Sequence, residues 1–275
     1  YILYPRLAAV SEAAWSAPIA KRWERFLTML DDYRERWGMK GIRSSMSEYN
    51  VKHEVVPNFG DLKMLLSCIR PDVEIRYTTD GSEPHEYSML YRRPLIIKQS
   101  QTVKCATFKD GKRVSQILEI PVQVSGTTGC NVLRSNSVER RLVNGVRGSL
   151  KNTDGEWASW GKNDSIALTF DVGARKRMGV VSLGYLNDFG LGIHKPQKVE
   201  VWLSDNDVYY WKATEQTFDS DEVFVEGRFT KEMKFAFEDV ARYVRIIMKG
   251  AGKCSGYHVR PGLETQIYLD EVLIE

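Results

Sequence analysis

A change of hydrophobic period near residue 50 constrains this chain more than any other feature. Before it, apolar residues recur at spacings of three and four, the mark of an amphipathic helix. After it they alternate in short runs separated by turn residues, the mark of half-buried strands. No later stretch returns to the helical period, so the remaining 225 or so residues must be almost wholly β.

The helical part occupies residues 4–40. Leu7, Val10 and Ala14 follow Pro5, which suits a first-turn position. A second helix is expected from Ser16 as N-cap and Pro18 just inside the start. Its apolar face is Ile19, Trp23, Phe26, Leu27, Leu30, Tyr33 and Trp37, and Gly38 and Gly41 end it. Lys21, Glu24, Arg25, Asp31 and Glu35 fill the opposite face. Two such helices cannot bury their stripes on each other alone; they need a further body to dock on.

Strand-like runs follow at 62–69, 73–79, 95–97, 102–108 and 117–122. Asp80-Gly81-Ser82-Glu83-Pro84 and Asp110-Gly111 separate them as turns, and Asp-Gly between alternating runs is a hairpin signal. Short strands so spaced predict an all-β sandwich of about 75 residues. The small polar stretch Ser125-Gly126-Thr127-Thr128-Gly129 reads as a boundary. Beyond it, runs at 166–172, 178–186, 198–204, 223–229, 232–237, 242–249 and 266–273 predict a second, larger sandwich or jelly roll.

Composition narrows the function classes. A length of 275 residues suits two or three domains. There is no run of about 18 apolar residues to span a membrane. The net charge is only +3 and the basic residues are dispersed, which gives no footprint for nucleic acid. Residues 1–7 lack a charged n-region and an apolar h-region, so they read as the lead-in to a helix rather than a signal peptide. Cys68, Cys105, Cys130 and Cys254 form no C-x-x-C pair, which leaves zinc and thioredoxin-type readings without support and favours buried free thiols. His53, His85, His194 and His258 show no ligand spacing. No G-x-S-x-G, H-E-x-x-H or P-loop occurs.

Three stretches, in order, resemble one known arrangement. Tyr4-Pro5-Arg6-Leu7-Ala8-Ala9-Val10-Ser11-Glu12-Ala13-Ala14-Trp15-Ser16 resembles the end of the catalytic barrel of glycoside hydrolase family 20, the β-N-acetylhexosaminidases. Ile75-Arg76-Tyr77-Thr78-Thr79-Asp80-Gly81-Ser82-Glu83-Pro84, with Tyr91, Pro94-Leu95, Val103-Lys104 and Phe108-Lys109-Asp110-Gly111, resembles the chitobiase C-terminal β-domain. Leu142-Val143-Asn144-Gly145-Val146-Arg147-Gly148, Trp157, Trp160, Ala241-Arg242-Tyr243-Val244-Arg245-Ile246 and Asp270-Glu271-Val272 resemble the factor 5/8 type C, discoidin-like module, whose fold carbohydrate-binding modules of family 32 share. The implied fold is mainly β. Residues 1–45 would be the helical remnant of a TIM barrel, 46–124 an Ig/fibronectin-like β-sandwich, and 125–275 a galactose-binding-like jelly-roll β-sandwich.

The resemblance also implies chemistry. Family 20 enzymes hydrolyse with help from the substrate acetamido group and an adjacent Asp-Glu pair. That pair would lie upstream in the barrel, so none is expected here, and Asp31-Asp32 reads as a solvated helix face. The expected role is an accessory region of a β-N-acetylhexosaminidase, inactive alone, acting on N-acetylhexosamine- or galactose-type glycans and partnering the upstream barrel. The alternative is a discoidin-like adhesion module for protein or lipid. Family members are periplasmic, surface-bound or secreted.

Sugar recognition needs an exposed ring plus polar groups for hydroxyls. The candidates are Arg147, Trp157, Trp160, Asp188, Phe189, His194, Tyr257 and His258, with one of the two Trp expected in the core. No cofactor is expected apart from a structural Ca2+, with Asn144 and Glu271 as candidate ligands. Family members carry Asp where this chain has Asn144, which removes a charge from a hard-cation site and leaves a metal-free turn as the alternative.

Overall fold

A computed structural model describes residues 3–275 except 59, 60, 135, 137, 138, 162–164 and 255. The protein is mainly β, as the period-two runs predict. It contains two compact units that interleave in sequence. The first is Tyr1–His53, Leu66–Arg92 and Val103–Glu119; the second is Glu54–Leu65, Arg93–Thr102 and Ile120–Glu275.

In chain order the helices are α1 (Leu3–Trp15), α2 (Trp23–Met39) and the short α3 (Ser220–Val223). The first eight strands are β1 (Lys52–Asn58), β2 (Asp61–Ser67), β3 (Glu74–Thr78), β4 (Met89–Leu90), β5 (Leu95–Ile97), β6 (Gln101–Lys109), β7 (Lys112–Arg113) and β8 (Leu118–Val122). The rest are β9 (Asn131–Leu133), β10 (Ala158–Gly161), β11 (Ile166–Asp188), β12 (Lys198–Ser204), β13 (Trp211–Thr217), β14 (Arg228–Lys249) and β15 (Gln266–Ile274).

In the first unit, α2 buries Phe26, Leu27 and Leu30, three residues of the predicted stripe. The helix starts later than expected, at Trp23 with Arg22 as N-cap, because Pro18 initiates only a separate 3-10 turn over Pro18–Ala20. A buried guanidinium anchors the helix. Arg70 donates to the Leu27 carbonyl at 3.1 Å and to Asp31 at 2.6 Å. It also donates to both oxygens of Asp72 at 2.8 and 2.7 Å. Tyr49 lies under Arg70, 4.8 Å from ring centroid to guanidinium carbon. In contrast, α1 buries no residue, and Trp15 is 90% exposed.

Strands β3, β4, β6 and β7 form one sheet, to which β8 adds by pairing with β6. Asp110-Gly111 makes the predicted two-residue hairpin, pairing Lys109 with Lys112, with positive φ at both positions (51° and 74°). The Asp80-Gly81 segment instead opens a longer loop: Asp80 folds its carboxylate back to the Ser82 amide (3.0 Å), and Pro84 follows where a strand would need a backbone donor.

The second unit holds most of the three-stranded sheet β1-β2-β5 and the seven-stranded sheet of order β10-β15-β11-β14-β12-β13, with β9 also on β11. Strands β11 and β14 are each one long strand, where the sequence suggested two apiece. Bulges at Asp171/Lys176 and Met178/Val180 bend this ribbon. The bend lets one ribbon serve two layers. Residues 166–171 and 243–248 lie with β9, β12 and β13, whereas 180–188 and 228–236 lie with β15 and β10. Between the layers, Phe170, Val201, Leu203 and Ile246 meet Leu183, Phe235, Leu269 and Val272 in one buried cluster. Of residues 223–229, expected as strand, 223 ends α3, 224–227 form a loop and 228–229 begin β14. Strand β13 escaped the sequence because it is a polar, largely exposed edge.

Candidate functional site

Two connections, β11 to β12 and β14 to β15, bring the sugar-site candidates together. Asp188 ends β11 and holds the next turn open, accepting from the Leu191 amide at 3.2 Å and pairing with Arg228 at 3.0 Å. Phe189 then faces His258 with ring centroids 4.2 Å apart. His194 meets His258 edge-on at 5.4 Å and Phe224 at 5.0 Å. Both histidines are buried, at 1% and 3% exposure. Neither nitrogen of His194 makes a hydrogen bond of normal geometry, nor does Nε2 of His258. Burial drives the His194 pKa down to about 4, assisted by His258, while the Val223 carbonyl and Asp188 oppose the shift weakly. Tyr257 in the same connection is fully exposed.

Cys254 completes this cluster, and the sequence reading did not connect it to the histidines. His194, Cys254 and His258 each bring a ligand atom within 4.8 Å of the others. His194 and His258 lie far apart in sequence, and it is the fold that brings them together. His194 lies 60 residues from Cys254, on a different connection. The local signal was Cys254 and His258 four apart in a glycine-bearing loop, which a search for C-x-x-C overlooks.

The other aromatic candidates lie elsewhere. Trp157 is 4% exposed, packs on Leu186 and Ile193, and donates from Nε1 to the Ser149 carbonyl at 3.1 Å. Trp160 packs against the main core and points its Nε1 at Glu139, 3.4 Å away. Arg147 pairs with Asp270 at 3.2 Å and Glu232 at 2.7 Å.

The calcium candidates form a second constellation. At Asn144-Gly145 the chain turns tightly. Gly145 has φ +75°, and a Cβ there would sit 2.6 Å from the Gln123 carbonyl oxygen. Asn144 accepts from the Val146 amide at 2.9 Å and donates to Glu156 at 2.9 Å, so both ends of its amide are engaged. Glu271 accepts from the Gly145 amide at 3.0 Å through Oε2, while its buried Oε1 has no partner. Burial pushes the Glu271 carboxyl well above its usual range, and the neighbouring Asp270 and Glu156 charges add to the shift. Asp270 is raised too, by burial working against Arg147. A hard cation at this turn would meet one orphaned carboxylate oxygen. Glu271 would be its ligand, and Asn144 could offer only its backbone.

The protein is thus a mainly β chain whose jelly-roll-like sandwich carries its chemistry-bearing side chains at one end and beneath one turn. The family described as Fn3 associated matches residues 64–120. A β-hexosaminidase of Porphyromonas gingivalis is 29% identical over 126 residues, 45% of this chain; the chain spans only about a sixth (16%) of that enzyme. Among solved structures, chitosan-binding module 1 of a Paenibacillus sp. IK-5 chitosanase/glucanase is 12% identical with a TM-score of 0.35, covering 55% of this chain and 98% of the module. A CBM32 module produced by Clostridium perfringens is 16% identical with a TM-score of 0.33, covering 53% of this chain and 90% of the module.

Proposed function

We propose that this chain is a carbohydrate-binding accessory region of a β-N-acetylhexosaminidase of glycoside hydrolase family 20, and that it carries no catalytic pair of its own. The observation that carries the reading is the sequence shared with the P. gingivalis β-hexosaminidase. The geometry agrees with a binding role. Tyr257 presents a whole aromatic ring to solvent, the apolar surface that sugar recognition requires.

The carboxylate clusters argue against chemistry within the chain. Asp270 and Glu271 are 3% and 1% exposed, so no glycosidic oxygen reaches them. Asp31 and Asp72 are held by Arg70 and Lys109. On this reading the bare apolar face of α1, with Leu7, Val10 and Trp15 exposed, docks on the barrel of the whole enzyme. Residues 1–45, 46–124 and 125–275 then serve as barrel end, β-domain and binding module. Glu271 would then hold a structural Ca2+. The whole enzyme works where glycans are met, in the periplasm, at the surface or outside.

The test is calorimetry of the chain with galactose, N-acetylglucosamine and chitobiose, beside an assay on p-nitrophenyl N-acetylglucosaminide. Binding of at least one sugar is expected, weakened about tenfold or more in Tyr257→Ala, with no turnover. Turnover abolished by one carboxylate substitution would overturn the reading. Retention on liposomes or a protein, indifferent to sugars, would replace it with the adhesion reading.

A further inference from the structure

We propose that His194, Cys254 and His258 form a binding site for a thiophilic transition-metal ion, zinc in the first instance, that ties the β11–β12 connection to the β14–β15 connection. Two imidazoles and a thiol are the donor set of borderline-soft metals, unlike the all-oxygen set at Glu271. The cluster is buried on all three residues. Buried polar atoms are nearly always hydrogen-bonded, yet three of the four ring nitrogens here make no hydrogen bond of normal geometry. One cation takes one nitrogen from each ring together with the sulfur.

The ligand atoms lie within 4.8 Å of one another, whereas tetrahedral zinc with bonds near 2.0–2.3 Å draws its donors to about 3.5 Å. Closure therefore needs a movement of about 1 Å, and the loop shows where it would come from. Nδ1 of His258 accepts from the Arg260 amide at 2.9 Å. A neutral imidazole bound to metal through one nitrogen carries its proton on the other. Whichever nitrogen of His258 takes the metal, Nδ1 can no longer accept from Arg260. Metal capture thus exchanges that hydrogen bond and re-seats the segment bearing Tyr257. The Cys254 thiol loses its proton to solvent as the sulfur–metal bond forms. A water takes the fourth position.

The experiment uses the untagged chain, reduced and freed of metal with a chelator, titrated with cobalt(II) and then with zinc. The expected result is uptake of about one ion per chain, with a thiolate-to-cobalt charge-transfer band that zinc abolishes. Cys254→Ser removes the band, Cys105→Ser and Cys130→Ser keep it, and His194→Ala or His258→Ala weakens uptake at least about tenfold. Should variants fail to fold, the wild-type chain still decides. Zinc is expected to bind with release of about one proton, read in weakly buffered solution. No uptake, cobalt binding without the band, or zinc uptake with no proton released would each overturn the proposal. Sugar binding does not enter any readout, so the two readings stand or fall separately.

Discussion

Gly148 lies against the indole of Trp157 so closely that a Cβ on it would come 2.3 Å from Trp157 Cε2 and 2.4 Å from Cζ2. The ring is wedged between this backbone and Leu186 and Ile193, and its single donor is used by Ser149. Gly148→Ala is expected to cost about 1–3 kcal/mol through overpacking. Trp157→Ala is expected to cost about 3–5 kcal/mol through the cavity. Urea unfolding followed by far-UV circular dichroism measures both. Wild-type stability in both variants would mean that the ring is not packed as described.

Acid should loosen the first unit through Asp72. Hydrogen bonding from Arg70 holds its carboxyl down at about 2, against an ordinary 3.8. A depressed carboxyl stabilises the fold fully above its unfolded value. That contribution is lost as pH falls from about 4 through about 2. Asp72→Asn is therefore expected to be less stable than the parent at neutral pH and to converge with it near pH 2. The side chain is 37% exposed, so solvent screening keeps the neutral-pH difference to about 1 kcal/mol or less. Thermal melts across that pH range would show parallel curves if the ion pair were idle.

Calcium should raise the melting temperature through Glu271. At a hundredfold excess over Kd the gain is about 2.7 kcal/mol, and a chelator should reverse it. Glu271→Gln keeps an acceptor for the Gly145 amide but removes the charge, so its melting temperature should not respond to calcium. A wild-type chain indifferent to both calcium and chelator would leave Glu271 a buried acid without a cation.

Thiol chemistry should separate the cysteines. Burial pushes the thiols of Cys105 and Cys130 up to about 12, so neither presents a thiolate near neutrality. Both are expected to react with a disulfide reagent only after denaturation. Peptide mapping after a brief native exposure checks this. Rapid native labelling of Cys105 would contradict its complete burial.

Much of the β architecture was legible because its causes are local. Alternation predicts a half-buried strand wherever it occurs, as at β12 with its Val199, Val201 and Leu203. Asp110-Gly111 turns because those two residues accept positive φ whatever surrounds them. The polar edge strand β13 and the short β9 were not legible, since pairing with neighbours rather than their own pattern makes them strands. Nor could alternation show that β11 and β14 run through their bulges as single strands shared by two layers.

The candidate sites divide along the same line. Residue type marked Phe189, His194 and His258 as side chains able to meet a ligand, and the resemblance to discoidin-like modules marked Glu271 as a candidate cation ligand. Tertiary structure decided that the Trp157 ring is enclosed while Tyr257 stands free. It also brought Cys254 to a histidine 60 residues away and stripped Glu271 Oε1 of partners. Period and turn propensity act over a few neighbouring residues, so they are written along the chain. Burial and ligand geometry depend on which distant segments the bent β11–β14 ribbon brings together, and that arises only when both layers close over one core.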